Sequence, residues 1–264
     1  MAKLVHSFWS RPSMGMRWGY RCEQLFYNLW YFALSCAYAK RIGAPIVLHT
    51  DTLGERLFGH LPYDNIYTTL DAVEAPPRFW AAGKFYALQA EQDARAIHID
   101  GDVFIKREEL WEKMANSEGD ILVQCVEHWS DVQSAELAKY MKREYFAHDH
   151  MLNTGVLGIF NQELKDKIVS EYMRTIAEAK RRLPGTFPYE SPDLVCEQQM
   201  IAYMSQGYKV DRVIDERKMC MAQDIGYQHV LSSKKYQCLP RCRETLKRVD
   251  INIYNKTTKI CQEL

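Results

Sequence analysis

The chain has 264 residues, long enough for one domain with a large buried core. Its 34 lysines and arginines cancel its 34 aspartates and glutamates, which argues against a general nucleic-acid binder, because such proteins carry a net basic footprint. The longest apolar run, residues 25–39, is interrupted by Asn28 and Ser35 and is too short to span a bilayer, and the opening residues lack the apolar core and cleavage site of a signal peptide, so a cytoplasmic protein is expected.

In chain order, residues 3–9 (KLVHSFW) read as a first strand. Residues 22–43 form a long helix stopped by Gly43, and 45–51 a second strand. A short helical turn leads to a third strand over 65–70, and a helix opened by proline covers 77–93. Ile97, Ile99, Val103, Phe104 and Ile105 are β-branched or aromatic, so the stretch AIHIDGDVFI reads as a buried strand that ends at Asp100; 120–127 are another. Residues 150–161 read as a strand with two glycines and 162–182 as an amphipathic helix. A helix over 193–207 is capped by Asp193 and ends at Gly207, a last strand covers 208–214, and a terminal helix 241–249. Strand and helix alternating at this spacing predict an α/β domain: a mostly parallel, Rossmann-like sheet with helices on both faces. Ligands of such sheets sit at the carboxyl ends of the strands.

The eight cysteines show no disulfide framework and are expected to be reduced. Cys238 and Cys242 with Cys220 or His229 would make a thiolate metal site, but no CxxC pair supports one.

Asp100 and Asp102 flank Gly101 inside an apolar run. Buried carboxylates are costly unless paired, hydrogen-bonded or metal-bound. Two residues apart on extended backbone they point the same way, and the glycine allows a bend that converges both on one cation. A solvated turn is the bland alternative for an isolated Asp-Gly-Asp; the apolar strand before it favours a divalent metal site.

Four segments in order resemble a known family. AIHIDGDVFI carries the DxD motif of nucleotide-sugar glycosyltransferases of the GT-A fold. LNTGVLGIFN, DLVCEQQMIAY and YQHVLSSKK resemble the Asn-Ser/Thr-Gly-Val strand, the Asp-Gln helix start and the C-terminal His-x-x-Gly-x-x-Lys segment of its retaining group, which includes glycogenin and bacterial lipopolysaccharide galactosyltransferases. Ser232 stands where that group usually has glycine, and no tryptophan follows the lysines, which indicates a distant branch. The resemblance implies a GT-A domain over 1–264, with a nucleotide-binding half (1–127) and an acceptor-binding half with the C-terminal segment (128–264). It also implies transfer from a nucleotide-sugar donor, UDP-linked, to a saccharide or other hydroxyl acceptor, with retention at the anomeric carbon.

The resemblance completes a Mn²⁺ or Mg²⁺ ligand set of Asp100, Asp102 and His229; alone, His229 reads as a partly buried loop histidine. It aligns Lys234 with the lysine that meets the diphosphate and leaves the adjacent Lys235 open, while two loop lysines are otherwise ordinarily solvated. Lys84 stands where relatives carry a base that touches the donor or steadies the aspartates. The nucleoside is expected over the first strand end, near His6, Ser7 and Trp9, with Thr50 and Asp51 at the second; a tryptophan there is otherwise a core residue. His98 reads as core. Asn153, Thr154, Glu197 and Gln198, with the histidine-rich segment 128–150, are expected to meet sugar and acceptor. Asn153 and Gln198 would stabilise the reacting sugar, and Glu197 would orient the acceptor or act as a neighbouring charge. Two alternatives are a nucleotidyltransferase with a phosphate loop over 7–21 and a non-catalytic binding protein of the same fold. The basic excess over 234–259 suits the diphosphate or an anionic membrane surface on the inner face.

Overall fold

The computed structural model describes residues 2–14, 21–92, 95–127, 132–184, 192–215, 225–230 and 234–264. The first half runs β1 (Lys3–Phe8), α1 (Ser10–Met14), α2 (Arg21–Arg41), β2 (Ile46–Thr50), α3 (Thr52–Phe58), β3 (Asn65–Tyr67), α4 (Ala82–Ala90), β4 (Ala96–Ile99), β5 (Val103–Ile105), α5 (Glu108–Ala115) and β6 (Ile121–Glu127). The second runs α6 (Val132–Tyr140), β7 (Met151–Ile159), α7 (Gln162–Arg182), α8 (Pro192–Met204), β8 (Val210–Arg212), β9 (Tyr227–His229), α9 (Lys234–Val249) and α10 (Ile251–Glu263). No helix among the described residues is long and apolar enough to cross a membrane.

One sheet organises these elements in the order β3-β2-β1-β4-β7-β6-β8. All its strands run parallel except β7, which is antiparallel to both β4 and β6. Successive strand residues point to opposite faces, so each central strand feeds two cores. Ile97, Ile99 and Leu122 pack with Trp30 and Phe32 of α2 and Leu246 of α9. Ile121, Val123 and Leu157 pack with Phe85 of α4, Tyr172 of α7 and Ile201 of α8. This is the expected α/β sheet covered on both faces. At about 25 cal/mol per Å², each large side chain so buried contributes roughly 1.5–3 kcal/mol.

Local chemistry sets most boundaries as expected. Gly43 follows α2 with φ +70°, which glycine adopts without a Cβ penalty. Asn161 caps α7 by accepting from Leu164 N at 3.1 Å. Several boundaries differ, four of them for a local reason or with a consequence for the site. The helix expected from 77 starts at Ala82, because Pro76 instead accepts from Phe79 N in a turn. The third strand stops at Tyr67 and gives way to a 3-10 turn, Thr69–Ala72. Asp193 is not a cap: it lies inside α8, fully buried, and accepts from Ala81 N at 2.5 Å and from the Tyr172 hydroxyl. The terminal helix begins at Lys234 and carries Pro240 within it, and α10 follows, capped by Asp250.

Candidate active site at the carboxyl ends of the strands

β4 ends at Ile99, and Asp100-Gly101-Asp102 forms a turn closed by Val103 N donating to Asp100 O at 2.9 Å. β5 then leaves the main sheet and pairs with β9, which sets His229 opposite Val103. The glycine serves space rather than bending: a Cβ on Gly101 would meet the Phe32 ring at 2.0 Å. Gly155 is required for the same kind of reason. A Cβ there would lie 2.4 Å from Gln124 Oε1 and 2.6 Å from His229 Cε1.

One ligand atom each from Asp100, Asp102 and His229 lies within 4.8 Å of the others. His229 Nε2 is 3.6 Å from Asp102 Oδ2, and its Nδ1 is 2.7 Å from Gln124 Oε1. Gln124 Oε1 also accepts from the Tyr227 hydroxyl at 2.7 Å. An amide oxygen can only accept, so Nδ1 carries the proton and Nε2 presents a lone pair toward the aspartates. Gln124 is aimed there by an irregularity in β6, whose register against β7 shifts between Val123 and Cys125.

Asp102 is buried, and its Oδ2 makes no well-directed hydrogen bond, although Lys235 Nζ lies 2.8 Å away. Burial pushes its carboxyl up, but the charge of Lys235, together with that of His229 whenever its ring is protonated, outweighs burial and holds it well below the usual carboxylate range. A permanently ionised, under-bonded oxygen beside an imidazole lone pair and a second carboxylate suits a divalent cation with a mixed oxygen and nitrogen preference. Gln124 is the outer partner that fixes the imidazole, as metal-bound histidines ordinarily require.

The second group of charges surrounds Lys84. Its Nζ contacts Glu197 Oε1 at 2.7 Å, Thr154 O at 2.7 Å and Asp100 Oδ1 at 3.2 Å, and Thr154 Oγ1 donates to Glu197 Oε1 at 2.6 Å. Burial lowers the ammonium's pKa, but Asp100 and Glu197 reverse that and hold it above its ordinary value. Asn153 donates to Glu127 Oε1 at 2.6 Å and accepts from Gly155 N at 3.0 Å. Gln198, on the first turns of α8, makes no side-chain hydrogen bond among the described residues.

Several expected contacts fall elsewhere. His6 is a core residue: Nδ1 pairs with the Tyr63 hydroxyl at 2.7 Å and Nε2 with Ser35 Oγ at 3.0 Å, and burial lowers its pKa to about 3. Trp9 is buried with Leu70 and Phe79 and offers no face for stacking. Thr50 donates to Phe8 O, and Asp51 accepts from Ser10 and caps α3. Ser7 is half-buried and shares a hydrogen bond with His98, whose burial holds it neutral. Lys234 is exposed at the start of α9, and Lys235 is the lysine that reaches Asp102. Ser232, Cys220, residues 128–131 and residues 15–20 of the expected phosphate loop lie outside the described residues. The other cysteines described, Cys36, Cys125, Cys196, Cys238, Cys242 and Cys261, form no disulfide. Sequence reasoning missed Gln124 and Glu127. Their signal was two polar residues in the otherwise apolar run 121–127, since buried polar groups require partners.

Fold and site together define an α/β protein with a charged, carboxylate-and-imidazole cluster at the carboxyl ends of a mostly parallel sheet. By sequence the chain belongs to the family of unknown function DUF6734, which matches residues 2–240. No curated protein sequence matches it significantly. Two solved structures are similar along nearly their whole length. The 4-diphosphocytidyl-2C-methyl-D-erythritol synthase of Anaerococcus prevotii is 13% identical with a TM-score of 0.43, covering 91% of this chain and 98% of its own. Galactosyltransferase LgtC, in complex with donor and acceptor sugar analogs, is 12% identical with a TM-score of 0.45, covering 94% and 96%. Likeness of that degree identifies neither substrate nor reaction.

Proposed function

We propose that this protein is a metal-dependent glycosyltransferase that takes a nucleotide-sugar donor, UDP-linked, and transfers the sugar to a hydroxyl acceptor with retention. The observation that carries the reading is the convergence of Asp100, Asp102 and the Nε2 of His229, with Gln124 fixing the imidazole tautomer. Bound there, Mn²⁺ or Mg²⁺ supplies Lewis-acid stabilisation of negative charge on a diphosphate leaving group.

The chain's own residues divide the remaining work. Lys235, half-exposed and paired with Asp102 among the described residues, can turn its ammonium toward the diphosphate. Lys84 holds the carboxylates of Asp100 and Glu197 in place. Glu197 is buried and doubly engaged by Lys84 and Thr154, so it acts as a fixed charge rather than a proton acceptor. Retention needs no strong base: the bond from the anomeric carbon to the phosphate oxygen breaks, and the acceptor oxygen bonds on the same face. The acceptor's proton passes to the departing phosphate oxygen. The unengaged amide of Gln198 orients the sugar, and Asn153, braced by Glu127, borders the acceptor side.

Calorimetry of UDP binding tests the reading. Binding is expected with Mn²⁺ present and to weaken strongly in EDTA; equal affinity in both conditions overturns the metal-dependent site.

A further inference from the structure

A second cluster of metal-ligating groups, His148, Asp149 and His150, precedes β7 at the same end of the sheet. It stands apart from the Asp100, Asp102 and His229 set. Its backbone is held by neighbours rather than by its own side chains. His148 N donates to Tyr145 O at 3.2 Å, and Gln199 Nε2 donates to His148 O at 3.0 Å. Gln199 is itself braced by Ser134 Oγ, which donates to its Oε1 at 2.8 Å. On this support the two imidazole rings lie with centroids 4.1 Å apart, and Asp149 Oδ1 is 2.8 Å from His150 Nδ1.

One ligand atom from each of the three residues lies within 4.8 Å of the others. His148 Nε2 is buried and has no hydrogen-bond partner among the described residues. A ring nitrogen in that state loses its water without compensation, a cost that coordination of a cation would remove. Two neighbouring imidazoles, tilted to each other by 50° on a backbone braced from α6 and α8, are organised for a ligand that both can meet.

We propose that His148, Asp149 and His150 bind a late first-row divalent cation, with Zn²⁺ as the natural occupant. Imidazole ligands suit Zn²⁺, Ni²⁺ and Co²⁺, whereas an oxygen-dominated set suits Mg²⁺ and Mn²⁺. The two clusters therefore select different metals. Asp149 is almost fully exposed, so the cation keeps open positions toward solvent for water or for an anionic oxygen of a ligand. The cluster lies immediately before β7, the strand that carries Asn153.

Competition between the full-length protein and a chromophoric chelator for Zn²⁺, with Mn²⁺ in excess, tests the site. The unaltered protein is expected to hold one Zn²⁺ that His148→Ala and His150→Ala each weaken by more than about tenfold. Asp102→Asn should leave this Zn²⁺ in place while weakening Mn²⁺, so failure here and failure of the glycosyltransferase reading are separable. Zinc affinity equal in the parent and both histidine variants, as thiol binding would give, overturns the site; so does zinc lost in Asp102→Asn alone. Co²⁺ absorption gives a second readout, expected to show nitrogen ligation that disappears in His150→Gln, a change at a half-buried residue that belongs to neither hydrophobic core.

Discussion

The carboxyl ends of β1 and β2 and the turn after β4 carry the same kinds of residues and do different things with them. At β1 and β2, His6, Thr50 and Asp51 are buried, and each is satisfied by fixed protein partners: Tyr63 and Ser35, Phe8 O, Ser10 and Gly54 N. At the turn, Asp102 Oδ2 lacks a directed hydrogen bond, the Nε2 of His229 is aimed at it, and Lys235 leans in from solvent. Burial alone therefore does not mark a site. Incomplete satisfaction of ionised groups does, because a fold that only needed stability would have paired them fully.

The sharpest way to break the comparison is at Lys84, the fully buried charge that belongs to both worlds. Lys84→Met leaves Glu197 buried without its partner and is expected to cost about 3–5 kcal/mol in urea unfolding. Lys84→Met with Glu197→Gln removes both charges and should recover part of that loss. Equal stability of the single and double variants would refute the pairing. Next in size, Asp102→Asn removes the charge assigned to the proposed metal while keeping shape, and donor turnover is expected to fall by roughly 10²–10³-fold; unchanged turnover would remove Asp102 from the chemistry.

The closed end is tested by acid. His6 has a pKa of about 3 in the folded chain, against an ordinary value of 6.5, because burial penalises its charged form. Below pH 6.5 the unfolded chain takes up a proton that the folded chain refuses. Its contribution is therefore complete above pH 6.5 and is lost as the pH falls toward 3, at up to about 1.4 kcal/mol per unit. Unfolding free energies measured between pH 7 and 4 should fall less steeply for His6→Gln, while the neutral, buried His98 keeps a residual slope of the same sign. An identical slope in both proteins would show that His6 is charged in the fold.

How far the sequence could be read follows the same division. The sheet and its flanking helices were legible because alternation and helix stops are local, as at Gly43. Asp100, Asp102 and His229 were legible as a set because four ordered motifs carried them, and the structure brings their ligand atoms together. What escaped depends on tertiary partners. Gln124 is aimed by a register shift against β7, and His6 is consumed by Ser35 and Tyr63 from elements far away in sequence. Gly101 looked like a hinge and is a clearance for Phe32, a residue nothing local connects with it.

Helix phase decides the smallest effect. Lys234 and Lys235 open α9, and adjacent helical residues point about 100° apart, so only one can face the turn after β4. Lys235 does so, reaching Asp102 at 2.8 Å, while Tyr31 donates to its carbonyl and so steadies the start of the helix. Lys235 is partly exposed, so its attraction for Asp102 is weakened by solvent, and its removal should change stability by less than about 1 kcal/mol. In the proposed reaction its charge matters instead where the diphosphate departs. Lys235→Ala is expected to lower donor turnover by roughly tenfold and Lys234→Ala by no more than twofold or so, both with near-parental unfolding curves. Turnover lost in Lys234→Ala and kept in Lys235→Ala would mean that α9 turns its other face to the donor, and the open end of the sheet would then need a different cation.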